Sequence, residues 1–319
     1  MSHRFWLCLP ALAAAAFLVT PAFAQTDLRI TVPAAPGGAW DQTAHAIEHA
    51  LLEAGGARSV AITNVPGGRG TTGLAEFVNR PEREPNRLIV MGLPLLAALA
   101  RGKSAATLEQ TTPIARLTTD YFAIAVPSES PIGAARDLAE ALKADPAKIT
   151  VGGGASGSVD HVLAALFARA AGADPAGLAY APFFGVGEML TALFEGRIAA
   201  AIASPRQLEE QVAAGRVRLL GISSRERVAG IEAATLIEQG LDLEMSNWRA
   251  VLGPAGLTAD ERAALTGAVE TALRAPQWEA SRSKKGWQPA YLSGEAFAAF
   301  LRREQARVAE ALRSVGLAK

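Results

Sequence analysis

The chain of 319 residues contains a single cysteine, Cys8, and that residue lies in an apolar leading segment. Once the leader is removed no thiol remains, so no disulfide can brace the fold and stability must come from the core alone. A charge excess is lacking too. Lys and Arg total 31 and Asp and Glu total 31; removing Arg4 with the leader leaves 30 against 31. Such a balance gives no overall attraction to nucleic acid or to an anionic lipid surface. After residue 24 no apolar run approaches the roughly 20 residues of a membrane span, so the remaining chain reads as soluble. There is no low-complexity linker, no repeat at solenoid spacing and no G-x-x-x-x-G-K-[ST] phosphate loop.

The leader itself is informative. Arg4 supplies a basic start, residues 5–19 form an uncharged apolar run, and Ala22-Phe23-Ala24 fits a small-x-small exit. This is the pattern of a secretory signal peptide over 1–24, cleaved to leave Gln25 first. Removal of 24 of the 319 residues leaves 295, enough for two lobes of roughly 100–200 residues each. The expected location is the periplasm.

Along the rest of the chain, short β-rich runs alternate with amphipathic stretches. Strands are predicted over 28–32, 60–64, 88–91, 121–126, 149–151, 198–203, 219–222 and 248–252. Helices are predicted over 41–54, 134–144, 159–171, 188–194, 207–214, 258–273 (with Thr258 as N-cap) and 294–315. The alternation defines an α/β fold with largely parallel sheets. Without a tether, the two lobes must be joined by crossing strands. The expected division is 25–125 with 225–319 for the first lobe and 126–224 for the second.

Three loops share one design of strand, glycines and helix start: Pro36-Gly37-Gly38-Ala39-Trp40-Asp41, Pro66-Gly67-Gly68-Arg69-Gly70 and Gly152-Gly153-Gly154-Ala155-Ser156-Gly157-Ser158. Glycine allows backbone N–H groups to approach a ligand closely, and a helix N-terminus adds unpaired donors and partial positive charge. Together they make an anion site that needs no basic side chain. Each loop alone also reads as a tight turn with a helix cap. Asp41 and Asp160 each read as a cap or as a ligand contact, and His161 as an anion donor or a packed core histidine.

Several enzyme motifs come close. Gly152-x-Gly154-x-x-Gly157 matches the dinucleotide fingerprint, but an exported chain rarely meets free nicotinamide cofactor. Ser156 fails the G-x-S-x-G elbow at its last position, and Ser281-x-x-Lys284 has no Lys-Thr-Gly to follow it. The sharpest enzyme alternative is a zinc peptidase built on His45-Ala46-Ile47-Glu48-His49, an H-x-x-E-H pattern with Glu48 as base. It lacks an evident third protein ligand, and the same residues read as an ordinary polar helix face. No metal, cofactor or catalytic residue is expected.

The order of these segments resembles the substrate-binding proteins of tripartite tricarboxylate transporters, the Bug proteins. The resemblance rests on Pro36-Gly37-Gly38 with Asp41, Asn64 with Pro66-Gly67 and Gly70, Ser156-Gly157 with His161, and Pro182, Gly185 and Gly187 with Leu193 and Gly196. It continues through residues 219–223 and 235–240 to Trp248 and Pro254-Ala255-Gly256. Trp40-Asp41-Gln42-Thr43, residues 112–118, Asp160-His161 and Asn247-Trp248-Arg249 lean toward the tricarboxylate-binding branch. Departures are His45 where arginine is common, Gly68-Arg69 for Ala-Gly, and Pro85-Asn86-Arg87 for a Pro-Asp-Gly turn.

The resemblance implies a type II periplasmic-binding fold whose two lobes close on a ligand by a hinge. It implies a monomer that binds no nucleic acid and captures a small organic carboxylate, a tricarboxylate such as citrate, for a large and a small integral membrane subunit. Dicarboxylate or aromatic carboxylate binding, or service as a sensor's ligand receptor, are the other readings. The implied ligand residues are Gly37, Gly38, Ala39, Trp40, Asp41, Gly67, Gly68, Ser156, Gly157, Ser158, Asp160, His161, Gly185 and Arg249. Arg249 is expected to supply a bidentate guanidinium to a carboxylate, or else a surface ion pair.

Overall fold

The computed structural model describes residues 26–80, 83–102 and 104–318. The expected signal peptide lies outside these residues. Two sheets divide the chain. The first has the order β11-β4-β10-β3-β1-β2, with β1 Asp27–Val32, β2 Ser59–Asn64, β3 Arg87–Gly92, β4 Thr111–Tyr121, β10 Ser246–Pro254 and β11 Gln288–Ser293. The second has the order β7-β6-β8-β5-β9, with β5 Ala123–Pro127, β6 Val151–Gly153, β7 Tyr180–Pro182, β8 Ala200–Ala203 and β9 Val217–Ile222. The result is a two-lobed α/β fold.

The sheets are mixed, which corrects the expectation of largely parallel ones. β1 runs parallel to β2 and β3, and β6 runs parallel to β7 and β8. β10 pairs antiparallel with β3 and β4, β11 with β4, and β5 with β8 and β9. The antiparallel pairs follow from the crossings. The chain leaves the first sheet along β4 and enters the second along β5, then returns along β10 between β3 and β4. A strand inserted between two others in that way runs against both.

Hydrophobic spacing explains the individual elements. All of β3 is buried, as suits a central strand covered on both faces. In α4 (Ala135–Ala144) the buried residues are Ala135, Leu138, Ala139 and Leu142, a single stripe at helical spacing. Thr258 does cap α8 (Ala259–Leu273): its hydroxyl accepts from Glu261 N–H while Glu261 accepts from Thr258 N–H. Ser204 and Gln207 make the same reciprocal box at α7 (Pro205–Ala213), with Pro205 opening the helix.

The long strand β4 lies outside the predicted strands except at Tyr121, since Pro113 and the threonines around it leave no continuous apolar run. Pro113 is tolerated because it lies beyond the stretch that β11 covers and beside a register shift opposite Val251 and Leu252. Helix α9 (Pro276–Lys284) and β11 were also unexpected. Both are short and only half-buried, so their apolar pattern is weak.

The two crossings run side by side. Ser223, just past β9, is buried, and its hydroxyl donates to Met245 O at 2.6 Å. Helix α10 (Gly294–Ser314) returns across the first lobe, where Glu304 accepts from the buried Trp248 Nε1 at 2.9 Å. Farther along, Glu310 reaches α5 (Val159–Ala170) through Arg169 at 2.6 Å.

Candidate functional site

A cleft of about 840 Å³ opens between the two sheets. From the first lobe it is lined by Ala39, Gln42, Asp120, Arg249 and residues 283–288, from the second by residues 204–207, and from the stretch that follows Ser223 by residues 228–232, among others. Such a volume suits a small organic molecule. Two helix starts border it, α1 (Ala39–Glu53) and α7, and each presents N–H groups that lack partners within the helix.

Arg249 is the buried charge of this cleft. It sits on β10, 4% exposed, with its guanidinium 4.7 Å from the centre of the Trp287 ring. One arm, Nη2, donates to Asp120 Oδ2 at 3.0 Å. The other, Nη1, is buried without a hydrogen-bond partner, as is Asp120 Oδ1. A buried donor left unmatched is costly, so this arm is a natural seat for an incoming carboxylate. The pair is far from the solvated surface contact that was the other expectation for Arg249.

The first glycine loop is held in place by Asp41. Gly38 occupies the N-cap position of α1, and Asp41 sits on the third helical residue instead. Its carboxylate accepts from Asn64 Nδ2 at 2.7 Å and from Gly37 N–H at 2.8 Å. The Asn64 bond, and after it the Gly37 bond, holds its pKa below the usual carboxylate range in spite of burial. Asp41 therefore shapes the loop with both oxygens engaged. Trp40 is buried, and its ring lies against Gly70 and Gly92, so any ligand contact there falls to its backbone. Of this loop only Ala39 lines the large cleft.

The second and third loops meet each other across the lobes. Gly67, Gly68, Arg69 and Gly70 all have positive φ, and Arg69 is the non-glycine residue in that conformation, at 57°. The turn aims Arg69 so that its Nη1 donates to Ser156 O at 3.2 Å. Arg101 Nη1 donates to the same oxygen at 2.9 Å. Arg101 also packs on Gly157, where a Cβ would come within 2.7 Å of Nη1, so nothing larger than glycine fits without displacing the arginine.

Behind Ser156 the third loop is tightly organised. Ser158 caps α5 by accepting from His161 N–H. Asp160 accepts from Gly154 N–H at 2.7 Å, and burial pushes its pKa up to about 6. Tyr180 donates to Gly154 O at 2.7 Å. His161 is buried, stacked on Tyr180 at 3.8 Å, and its Nδ1 accepts from Gly157 N–H at 3.2 Å. Burial, and then the charge of Arg101, holds its pKa down to about 4, so the ring is neutral with its proton on Nε2. Gly185 is the N-cap of α6 (Val186–Phe194) on the adjoining loop. Residues 67–68, 156–158, 160–161 and 185 do not line the large cleft.

In the H-x-x-E-H segment, Glu48 Oε2 lies 2.8 Å from His45 Nδ1 on an exposed helix face. Among the described residues no three His, Cys, Asp or Glu side chains converge as a metal site. The cleft also holds residues that sequence reasoning missed: Asp120, Arg206, Lys285 and Trp287. Only Lys284-Lys285 beside Trp287 carried any local signal, a basic pair next to an aromatic.

Two lobes from mixed sheets, joined by paired crossings around a cleft with a buried cation, are the architecture of a solute-binding protein. The family model described as the tripartite tricarboxylate transporter family receptor (TctC) matches residues 103–317, and the chain belongs to this family of periplasmic binding proteins. A TctC solute-binding protein from Polaromonas, solved without ligand, is 25% identical, with a TM-score of 0.79 over 91% of this chain and 98% of the other. MatC from Rhodopseudomonas palustris, solved with bound malate, is 23% identical, with a TM-score of 0.66 over 91% and 99%. A further R. palustris protein, solved with adipate, is 22% identical, with a TM-score of 0.68 over 92% and 98%. A UPF0065 protein of Agrobacterium vitis is 26% identical over 258 residues, 80% of this chain and 73% of that protein.

Proposed function

We propose that the chain captures a small organic carboxylate in the interlobe cleft and releases it to the large and small membrane subunits of a tripartite transporter. The lobes are taken as 25–125 with 225–319, and 126–224, and the segment 1–24 as the signal that exports the chain. The observation that carries the reading is Arg249, buried at the cleft with one guanidinium arm free. Binding and release complete the cycle; no bond is made or broken. Citrate or another tricarboxylate is the leading ligand class, supported by Asn247-Trp248-Arg249. Dicarboxylates are the second reading, supported by the malate and adipate bound to two relatives of the same fold.

A thermal-shift screen of residues 25–319 against organic acids tests this directly. A cognate acid raises the midpoint by an amount that grows with the logarithm of its concentration above Kd. A panel of mono-, di- and tricarboxylates that leaves the midpoint unmoved would remove the carboxylate reading.

A further inference from the structure

We propose that Lys285, Lys284 and Arg206 form a second anion subsite in this cleft, which selects ligands carrying at least two separated acid groups. The inference rests on the carboxylate reading above and adds to it the residues that sort one acid from another.

All three side chains line the same cleft as Arg249. Lys285 follows α9 and is half-buried; its Nζ donates to Gln42 Oε1 at 2.9 Å and lies 5.5 Å from the Trp287 ring centre. Both partners are neutral. Arg206, in the first turn of α7 on the opposite lobe, donates across the cleft to Lys284 O at 3.0 Å. Among the described residues none of the three cations has a carboxylate oxygen within 4.0 Å, although seventeen other ion pairs are formed there. The acids of the cleft lining are Asp120, engaged by Arg249, Glu209 on α7, and Glu232 on the stretch that follows Ser223.

The cations act on one another. Burial, followed by the charges of Lys284, Arg206 and Arg249, holds the Lys285 pKa below its ordinary value. Closing the lobes brings Arg206 toward two lysines, and like charges in a partly dry cleft oppose that step. An acid group placed among them turns the repulsion into three attractions at once. The start of α7 adds its own partial positive charge at Arg206. A monocarboxylate seated at Arg249 leaves this subsite empty and the repulsion in place. A second carboxylate on the same molecule fills it.

The test is titration calorimetry of residues 25–319 with butyrate, succinate and tricarballylate, for the natural sequence and for Lys285→Met, Arg206→Gln and Lys285→Arg. Circular dichroism melts confirm that each variant is folded. The natural sequence should prefer succinate or tricarballylate to butyrate by at least tenfold. Lys285→Met and Arg206→Gln should each reduce that preference about tenfold, by weakening the polyacids while butyrate binds as tightly or more tightly once the repulsion is relieved, and Lys285→Arg should keep it. Equal losses for butyrate and the polyacids, or unchanged affinity for all three, would overturn the subsite and leave carboxylate capture standing. Failure of every acid to bind the natural sequence would instead overturn the carboxylate reading beneath it.

Discussion

Phe122 and Ser223 exchange two hydrogen bonds between the paired crossings: Phe122 N–H donates to Ser223 Oγ at 3.0 Å, and Ser223 N–H donates to Phe122 O at 2.9 Å. The Ser223 hydroxyl passes its own proton to Met245 O, so one buried side chain joins three segments at the place where the lobes are connected.

Ser223→Ala should therefore be destabilising well beyond its one lost oxygen. Phe122 N–H and Met245 C=O would both lose a partner in a buried setting, at about 1–3 kcal/mol each. Urea unfolding should show a loss of roughly 2–6 kcal/mol. A loss under about 0.5 kcal/mol would mean that water replaces the hydroxyl and that the joint is wet.

Arg249 pairs with Asp120, and the ligand role proposed for it can be separated from that pairing by a double variant. Arg249→Gln leaves Asp120 without its charged partner, which should cost about 2 kcal/mol, below the roughly 3–5 kcal/mol of a fully buried pair because Asp120 is 23% exposed. Adding Asp120→Asn should restore much of the stability. Affinity for a tricarboxylate should stay at least tenfold weaker in both variants. Recovery of affinity in the double variant would confine Arg249 to holding Asp120.

The strained turn at Arg69 predicts a trade. A left-handed residue other than glycine costs about 1–2 kcal/mol, and glycine gives back roughly 0.5–1 kcal/mol in unfolded-chain entropy. Arg69→Gly should thus be equal to or slightly above the natural sequence in stability. It also removes one of the two donors that tie Ser156 O across the lobes. Combined with Arg101→Leu, it should increase the radius of gyration by X-ray scattering. An unchanged radius in the folded double variant would show that these arginines do not hold the lobes together.

Asp160 and His161 titrate over the same range with opposite effects. Asp160 rises from 3.8 to about 6 on folding, so its contribution is full below pH 3.8 and lost as pH rises through 6. His161 falls from 6.5 to about 4, so its contribution is full above pH 6.5 and lost as pH falls through 4. Each shift corresponds to at most roughly 3 kcal/mol, and together they nearly cancel. Asp160→Asn should expose the histidine slope, with stability falling from pH 6.5 to 4. His161→Gln should expose the reverse slope. Parallel pH profiles for the two variants would contradict the opposed titrations.

The two-lobed fold could be read in the sequence because it rests on local signals. The apolar run of β3, the stripe of α4 and the Thr258 box are each written within a few residues. The glycine loops were legible for the same reason. The mixed sheet directions were not, since they depend on where β10 inserts, a pairing of segments more than 120 residues apart. The cleft is a harder case still. Arg206, Lys285 and Asp120 are ordinary polar residues in isolation, and only the closing of two lobes brings them to one place. Asp41 shows the opposite limit: its type and position suggested a cap or a ligand, whereas both its oxygens turn out to hold Gly37 and Asn64.

The position of β10 also fixes an order of assembly. All five strands of the second sheet lie within residues 123–222, so that lobe is complete before the later chain is needed. The first sheet cannot close until residues 246–254 insert between β3 and β4. A chain emerging from its N-terminus thus holds β3 with an open edge through more than 150 residues of further growth, and an open edge is a template for pairing with other chains. Pulsed hydrogen exchange during refolding should find β5–β9 protected before β3 and β4.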